Sequence, residues 1–269
     1  VGRRLLSEGA NLDLHLRGNR VLVTGSSRGI GLSIAQAFLA EGAQVCITGR
    51  QESTVRRSVE SLGGRGATDP VWGVAGDLTQ PSSVTDLIER ITSTWGALDV
   101  LVLNLGSGRS AMGLAIEAAE WERVLHLNLI SAMTVLGAAV PLLRAGSAPA
   151  VVFVGSIAGL EDIGAPIAYA AAKAALTQAM KSAARTLGPD GIRVNMVAPG
   201  NIFVEGGVWN QRLQANEADV RRMLRAEVPL GRLGTPDEVA AMVVFVAARC
   251  ASFLTGACIA IDGGQTRSH

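Results

Sequence analysis

Residues 20–31 read RVLVTGSSRGIG, and the fold turns on how that stretch is parsed. Arg20–Thr24 is an apolar run rich in β-branched residues, the pattern of a fully buried strand. Gly25 closes it, and Ser26–Gly31 leads into the helical spacing of Ile30, Ile34, Ala37 and Phe38. A strand that passes into a helix through spaced glycines brings free backbone N–H groups and the positive end of a helix dipole to one point, which suits a phosphate. Gly25 permits the tight turn, Gly29 lets the backbone approach a pyrophosphate, and Gly31 allows helix and strand to pack closely. Ser27, Arg28 and Ile30 complete the loop that would hold it. Glycine turns between strand and helix are common, so the weight falls on what surrounds this one.

Outward from that stretch the same alternation repeats. Strands are expected at Gln44–Thr48, Pro70–Ala75, Asp99–Leu103, Val151–Gly155, Ile192–Val197 and Cys258–Ile261. Between them lie helical patterns at about 51–62, from Pro81 to Trp95, from Glu117 to about Leu143, from the Tyr169 region to Gly188, and over Pro236–Ala248. Alternating strands and helices with short connections predict an α/β fold, a three-layer Rossmann arrangement. Its doubly wound parallel sheet should have about seven strands, with helices on both faces. No linker, repeat or composition break divides the chain. The expectation is an N-terminal extension at 1–15 and one dinucleotide-binding domain at 16–269, in which the irregular stretch at about 201–230 serves as a substrate lid.

Composition narrows the function. With 269 residues, 48% hydrophobic, the chain can bury a large core, and its net charge of +1 offers no electrostatic footprint for nucleic acid. No apolar run is read as a membrane span, and the N-terminus lacks the apolar region of a secretory signal, so a cytoplasmic protein is expected. Cys46, Cys250 and Cys258 have no paired spacing and read as small hydrophobes in a reducing compartment. No His, Cys, Asp and Glu residues recur at metal-ligand spacing, so no metal is expected.

The end of the second strand bears on the cofactor. An NAD site offers an acid there to the ribose 2′-hydroxyl. Here the tip reads Thr48-Gly49-Arg50-Gln51, and Arg50 with Arg28 is placed to grip a 2′-phosphate instead. NADP(H) is therefore favoured over NAD(H).

The chemistry sits at 151–173, VVFVGSIAGLEDIGAPIAYAAAK. Ser156 follows a strand tip, and Tyr169 and Lys173, four apart on a helix, share one face. A hydroxyl, a phenol and an ammonium that converge can hold a carbonyl and move a proton onto it. Tyr169 is the only tyrosine in the chain, so no other phenol can substitute. A neighbouring ammonium and the positive nicotinamide are expected to favour the phenolate and lower its pKa from the ordinary value of about 10. A serine hydrolase would need Gly two residues before and after Ser156, where Val154 and Ala158 stand. His126 reads as a helix-surface or packing residue, and His15 and His269 lie near the termini.

With these marks in place the chain resembles the short-chain dehydrogenase/reductase family, in its single-domain form and closest to members that reduce 3-oxoacyl-carrier-protein substrates. The resemblance covers Leu16 to Gly264 and rests on TGSSRGIG at 24–31, Asp77-Leu78, Asn104 with Gly106, Asn128, Ser156, Tyr169 with Lys173, Pro199-Gly200, Thr255-Gly256 and Asp262-Gly263-Gly264. It implies that Asp77 contacts the adenine and Leu78 flanks it, that Asn104 and Gly106 line the ribose side, and that Pro199, Gly200 and Ile202 wall the nicotinamide. It also implies that Lys173 bonds the nicotinamide ribose, that Ser156, Tyr169 and Lys173 do the chemistry, and that Asn128 holds a water linking Lys173 to solvent. The implied activity is interconversion of a ketone and a secondary alcohol, of the 3-oxoacyl-thioester type. A sugar, steroid or other small secondary alcohol is the alternative, and a non-catalytic nucleotide-sensing protein a lesser one. The implied assembly is a homotetramer, or a homodimer, through the Asn128 and Tyr169 helices. Two departures stand out: Leu103-Asn104-Leu105-Gly106 where the family has Asn-Asn-Ala-Gly, so that Leu105 adds bulk in place of Ala, and Val204 where a Thr is usual after Pro-Gly.

Overall fold

The structure is a computed structural model and describes residues 13–64 and 69–267. Most of the expected N-terminal extension, and His269, lie outside the described residues. Among those described, seven strands form one sheet in the order β3-β2-β1-β4-β5-β6-β7, every pairing parallel. They are β1 (Arg20–Val23), β2 (Gln44–Gly49), β3 (Val71–Ala75), β4 (Val100–Leu103), β5 (Ala150–Val154), β6 (Arg193–Pro199) and β7 (Cys258–Ile261). The order reverses between β1 and β4, and a doubly wound sheet opens a crevice for ligands at the strand ends of such a point.

Strand residues alternate between two buried layers, as a strand period of two requires. Leu22, Leu101, Leu103, Val151 and Phe153 belong to the core under α3 (Pro81–Trp95), α5 (Ser131–Arg144) and α6 (Ile167–Leu187). Val21, Val23, Val100, Val102, Val152 and Val154 belong to the opposite core, under α1 (Gly29–Ala40), α2 (Glu52–Ser61) and α9 (Pro236–Ala247). Pro81 stands in the first turn of α3, where its missing N–H costs no helical bond. Thr235 and Glu238 close α9 with a reciprocal capping box. Cys46 is buried, Cys258 partly buried and Cys250 exposed, all as free thiols.

The expected continuous helix from Glu117 to Leu143 is instead α4 (Ala118–Leu125), a π-turn over His126–Ile130, and then α5. The π-turn inserts an extra residue into the helical register and re-aims the side chains it carries. By length and composition the combined Ala118–Arg144 stretch would suffice to cross a membrane, which the sequence reading did not foresee. In the fold, however, its second half buries Val135, Leu136, Ala139, Leu142 and Leu143 in the core shared with α3 and α6.

Candidate active site

The glycine loop is laced to the two strand tips beside it. The Gly25 N–H donates to Thr48 Oγ1 (3.0 Å), the Ser26 N–H to the Thr48 carbonyl (2.9 Å), and the Thr48 N–H to Ser26 Oγ (3.0 Å). From β4, the Asn104 N–H donates to Thr24 Oγ1 (2.9 Å) and its side-chain amide to the Gly25 carbonyl (3.0 Å). Thr24 and Thr48 are thus site-building residues that the motif reading passed over. Gly25 and Gly29 have φ of +59° and +56°, the left-handed region that favours glycine. A Cβ on Gly31 would lie 2.5 Å from both the Gly25 carbonyl oxygen and the Asn104 amide nitrogen, so only glycine closes this turn.

The helix that follows is ready for an anion. Arg28 stands at its N-cap in extended conformation without a side-chain cap bond, and its first turn holds no acid. Its leading N–H groups and dipole are therefore left to a ligand, so the cradle fits a pyrophosphate. Arg28 and Arg50 are both exposed and, among the described residues, neither joins an ion pair. Asp77 is exposed, and its Oδ1 accepts from the Thr79 hydroxyl (2.8 Å). Leu78 turns its side chain into the core, leaving its backbone at the crevice. Leu105 also packs toward the core, near Gly25.

The chemical end of the crevice is built from β5, α6 and the π-turn. Ser156 follows β5 and caps a short 3-10 turn, its Oγ accepting the Ala158 N–H at 3.2 Å. Lys173 is buried, and its Nζ donates to the Val154 carbonyl (3.1 Å) while standing 5.9 Å from the Tyr169 ring centroid. Burial pushes the Lys173 ammonium down to about 8. Asn128 is wholly buried. Its Oδ1 accepts the Ser107 N–H (3.0 Å), and its Nδ2 donates to the Val124 (3.0 Å) and Ser107 (3.3 Å) carbonyls. A Cβ on Gly106 would meet Asn128 Oδ1 at 2.7 Å and Lys173 Nζ at 3.2 Å, so Gly106 lies against both side chains.

Within the chain alone, the lowering expected of the ammonium is not found. Burial raises the Tyr169 phenol above its ordinary pKa, and the hydrogen bond with Ser156 only partly offsets this. Lys173, six ångströms from the ring and itself desolvated, does not outweigh that burial.

At the third corner, Pro199 ends β6, and a Cβ on Gly200 would lie 2.7 Å from Asp262 Cβ. Ile202 is buried and bridges to Gly234. Val204 reaches across to the glycine loop, its Cγ1 3.0 Å from where a Cβ on Gly29 would stand. His126 lies on the surface, with Nε2 2.9 Å from the Thr79 carbonyl. Among the described residues no cluster could hold a metal ion.

A parallel sheet with a glycine-rich βα turn at its switch point, beside a Ser, Tyr and Lys set, defines a nucleotide-dependent oxidoreductase acting on CH–OH and C=O groups. A family model described as "Enoyl-(Acyl carrier protein) reductase" matches residues 25–266. The chain belongs to the short-chain dehydrogenase/reductase family. It is 34% identical over 252 residues to the 3-oxoacyl-acyl-carrier-protein reductase FabG of Escherichia coli, covering 94% of this chain and 99% of that protein. It is also 34% identical over 254 residues to 2-(S)-hydroxypropyl-CoM dehydrogenase 3 of Xanthobacter autotrophicus, covering 93% and 98%. The L-sorbose reductase of Gluconobacter frateurii, solved with NADPH and L-sorbose, superposes with a TM-score of 0.89 at 28% identity, covering 96% of this chain and all of that one.

Proposed function

We propose that this protein is an NADP(H)-dependent ketoreductase that interconverts a ketone and a secondary alcohol, with Tyr169 as general acid and base. The observation that carries it is the convergence of Ser156, Tyr169, Lys173 and Asn128 at the C-terminal end of β5, in the crevice that the uncapped helix α1 also faces. A reduced nicotinamide, when bound, supplies the hydride. The chain's own groups do the rest. Ser156 Oγ orients the carbonyl oxygen, and the Tyr169 hydroxyl, kept protonated by its burial, gives its proton to the developing alkoxide. Lys173 holds the ribose edge and, with its lowered pKa, passes a proton back toward the phenol along a path that Asn128 anchors. In the oxidative direction the same groups run backwards.

NADP(H) is supported by two free arginines at the 2′-position, Arg28 and Arg50, and by the NADPH in the sorbose reductase relative. Asp77 and the Leu78 backbone serve the adenine, Gly25 to Gly31 the pyrophosphate, Asn104 and Gly106 the ribose side, and Pro199, Gly200 and Ile202 the nicotinamide. For the substrate, the reductase relative favours a 3-oxoacyl thioester, and the sorbose reductase favours a ketose as the second reading. Residues 201–230 act as the lid. The Ala171, Ala174 and Ala175 face of α6 is exposed, and Ala171 and Ala174, with Leu114, Leu160 and Ile167, border an open cavity of about 520 Å³, which supports assembly into a homodimer or homotetramer.

Replacing Tyr169 by Phe tests the reading. Turnover of acetoacetyl thioester and ketose substrates should fall by about 10³-fold or more while NADPH still binds by fluorescence titration, since general acid–base groups supply about 10²–10⁴-fold. Retention of even a tenth of the activity would refute the assignment.

A further inference from the structure

The loop after β4 runs beside the Tyr169 phenol, where a Cβ on Gly108 would lie 3.8 Å from Tyr169 Cζ. Residues 104–117 form neither helix nor strand, and Met112 and Leu114 on them are exposed. Packing therefore does little to fix this loop's height over the catalytic phenol, and its position depends on a few polar grips.

One grip is Asn128, which holds both backbone groups of Ser107. The other is a fork on α4. Arg123 bonds Glu120 through two of its three guanidinium nitrogens, Nε to Oε2 at 2.7 Å and Nη2 to Oε1 at 2.8 Å. The same Nη2 donates to the Arg109 carbonyl at 3.0 Å, and Glu120 Oε1 accepts the Ala111 N–H at 3.3 Å. The two side chains thus hold residues 109 and 111 from one rigid, planar pair. Glu120, Arg123 and Asn128 follow one another along the edge of the helix that faces the loop. The Arg123 guanidinium, and after it the Ala111 N–H, hold the Glu120 carboxyl down at about 2, so the fork stays charged across the working pH range.

We propose that the Glu120–Arg123 fork is a positioning device that holds residues 109–111, and through them the adjoining Gly108 beside the Tyr169 phenol, and so sets which carbonyl substrates fit. The proposal rests on the ketoreductase reading for its substrate but not for its geometry. Exposed ion pairs of this kind add little to stability, so a role in shape rather than in holding the fold together follows from their placement. Neither residue touches the reacting atoms; both act through the loop.

The test uses the full chain and three variants, Arg123→Ala, Arg123→Lys and Glu120→Gln. Arg123→Ala should raise KM for an acetoacetyl thioester and a ketose by about tenfold, to different extents, with kcat changed much less, because the loss is of substrate placement and not of the proton donor. The NADPH dissociation constant should stay within about twofold. Arg123→Lys, which keeps the charge but not the fork, should behave like Arg123→Ala. Glu120→Gln, which keeps an acceptor for the Ala111 N–H, should fall between. Hydrogen exchange at the Ala111 amide should accelerate in Arg123→Ala while the Tm moves by only a few degrees. Unchanged exchange at Ala111 overturns the proposal whatever the kinetics. Equal losses for both substrates confined to kcat overturn it as well. If the wild-type protein binds NADPH but reduces neither substrate, the ketoreductase reading fails on its own, and the Ala111 exchange still decides the positioning claim.

Discussion

Lys173 shows how a single residue sets function against stability. Its ammonium is buried with one hydrogen bond, to the Val154 carbonyl, and its pKa falls to about 8 from the usual lysine value. A base whose folded pKa is depressed leaves the unfolded chain holding more protons between the two values, so stability rises with pH across that interval and is diminished below it. The sign gives a measurable outcome. Between pH 8 and 9.5 the wild-type unfolding free energy should increase relative to that of Lys173→Met, which lacks the group, and at pH 7 the variant should be at least as stable. Denaturant titrations at the two pH values check this. A variant less stable at pH 7 with the same pH slope as wild type would show that the buried ammonium carries no such cost. On the proposed role of Lys173 in passing a proton to Tyr169, turnover should be lost in the same variant.

At the scale of the element, the π-turn at His126–Ile130 has the largest consequence. It turns Asn128 inward so that one amide serves the Val124 carbonyl and both backbone groups of Ser107. Asn128→Ala leaves the Ser107 N–H and carbonyl without those partners, which costs about 1–3 kcal/mol for a buried unsatisfied group. The expected result is a lower Tm, with hydrogen exchange at Ser107 accelerated more than at the β4 amides. Equal exchange at the two would mean that the π-turn does not hold the loop.

The same element marks where sequence ceases to inform. The β-branched strand runs, Pro81, the glycine spacing and the Tyr169–Lys173 interval were legible, because each is enforced by backbone sterics or helical period within a few residues. The π-turn was not, because HLNLI differs in no compositional way from the helix around it. Nothing in the i, i+3 spacing of Glu120 and Arg123 marks their other partners, which are loop carbonyl and amide groups that composition cannot reveal. The Tyr169 pKa went the other way because desolvation depends on depth, which charge spacing along a helix does not encode.

Across the whole molecule, the segment after β6 leaves the core under α1, α2 and α9 beyond Ile202 and Val204, and its later part packs by itself. Its α7 (Val208–Ala215) buries no residue, and α8 (Glu217–Glu227) packs Val220 and Leu224 with Val228, Trp209 and Leu213 in a small cluster of its own. A subunit of structure with its own minor core opens at lower free energy than the domain it covers. What ties it down is the end of the chain. The Asn201 amide donates to Gln265 Oε1 (2.8 Å), the Leu230 N–H to the Gly263 carbonyl (3.1 Å), and Arg267 pairs with Glu227 (3.3 Å). The Arg267 N–H also reaches both oxygens of Glu161 on the loop after Ser156 (2.8 and 3.0 Å), so the tail bridges the proposed lid to the opposite wall of the crevice. If residues 201–230 close over bound cofactor, limited proteolysis within residues 205–216 should slow when NADPH is added. Ending the chain after Gly264 should speed that cleavage in both states and raise the substrate KM more than it lowers kcat, since the catalytic groups on β5 and α6 are untouched. Cleavage that ignores NADPH would remove the lid, and a truncated chain cut no faster than the full one would remove the tail as its latch, leaving α7 and α8 as a fixed wall whose shape alone selects the substrate.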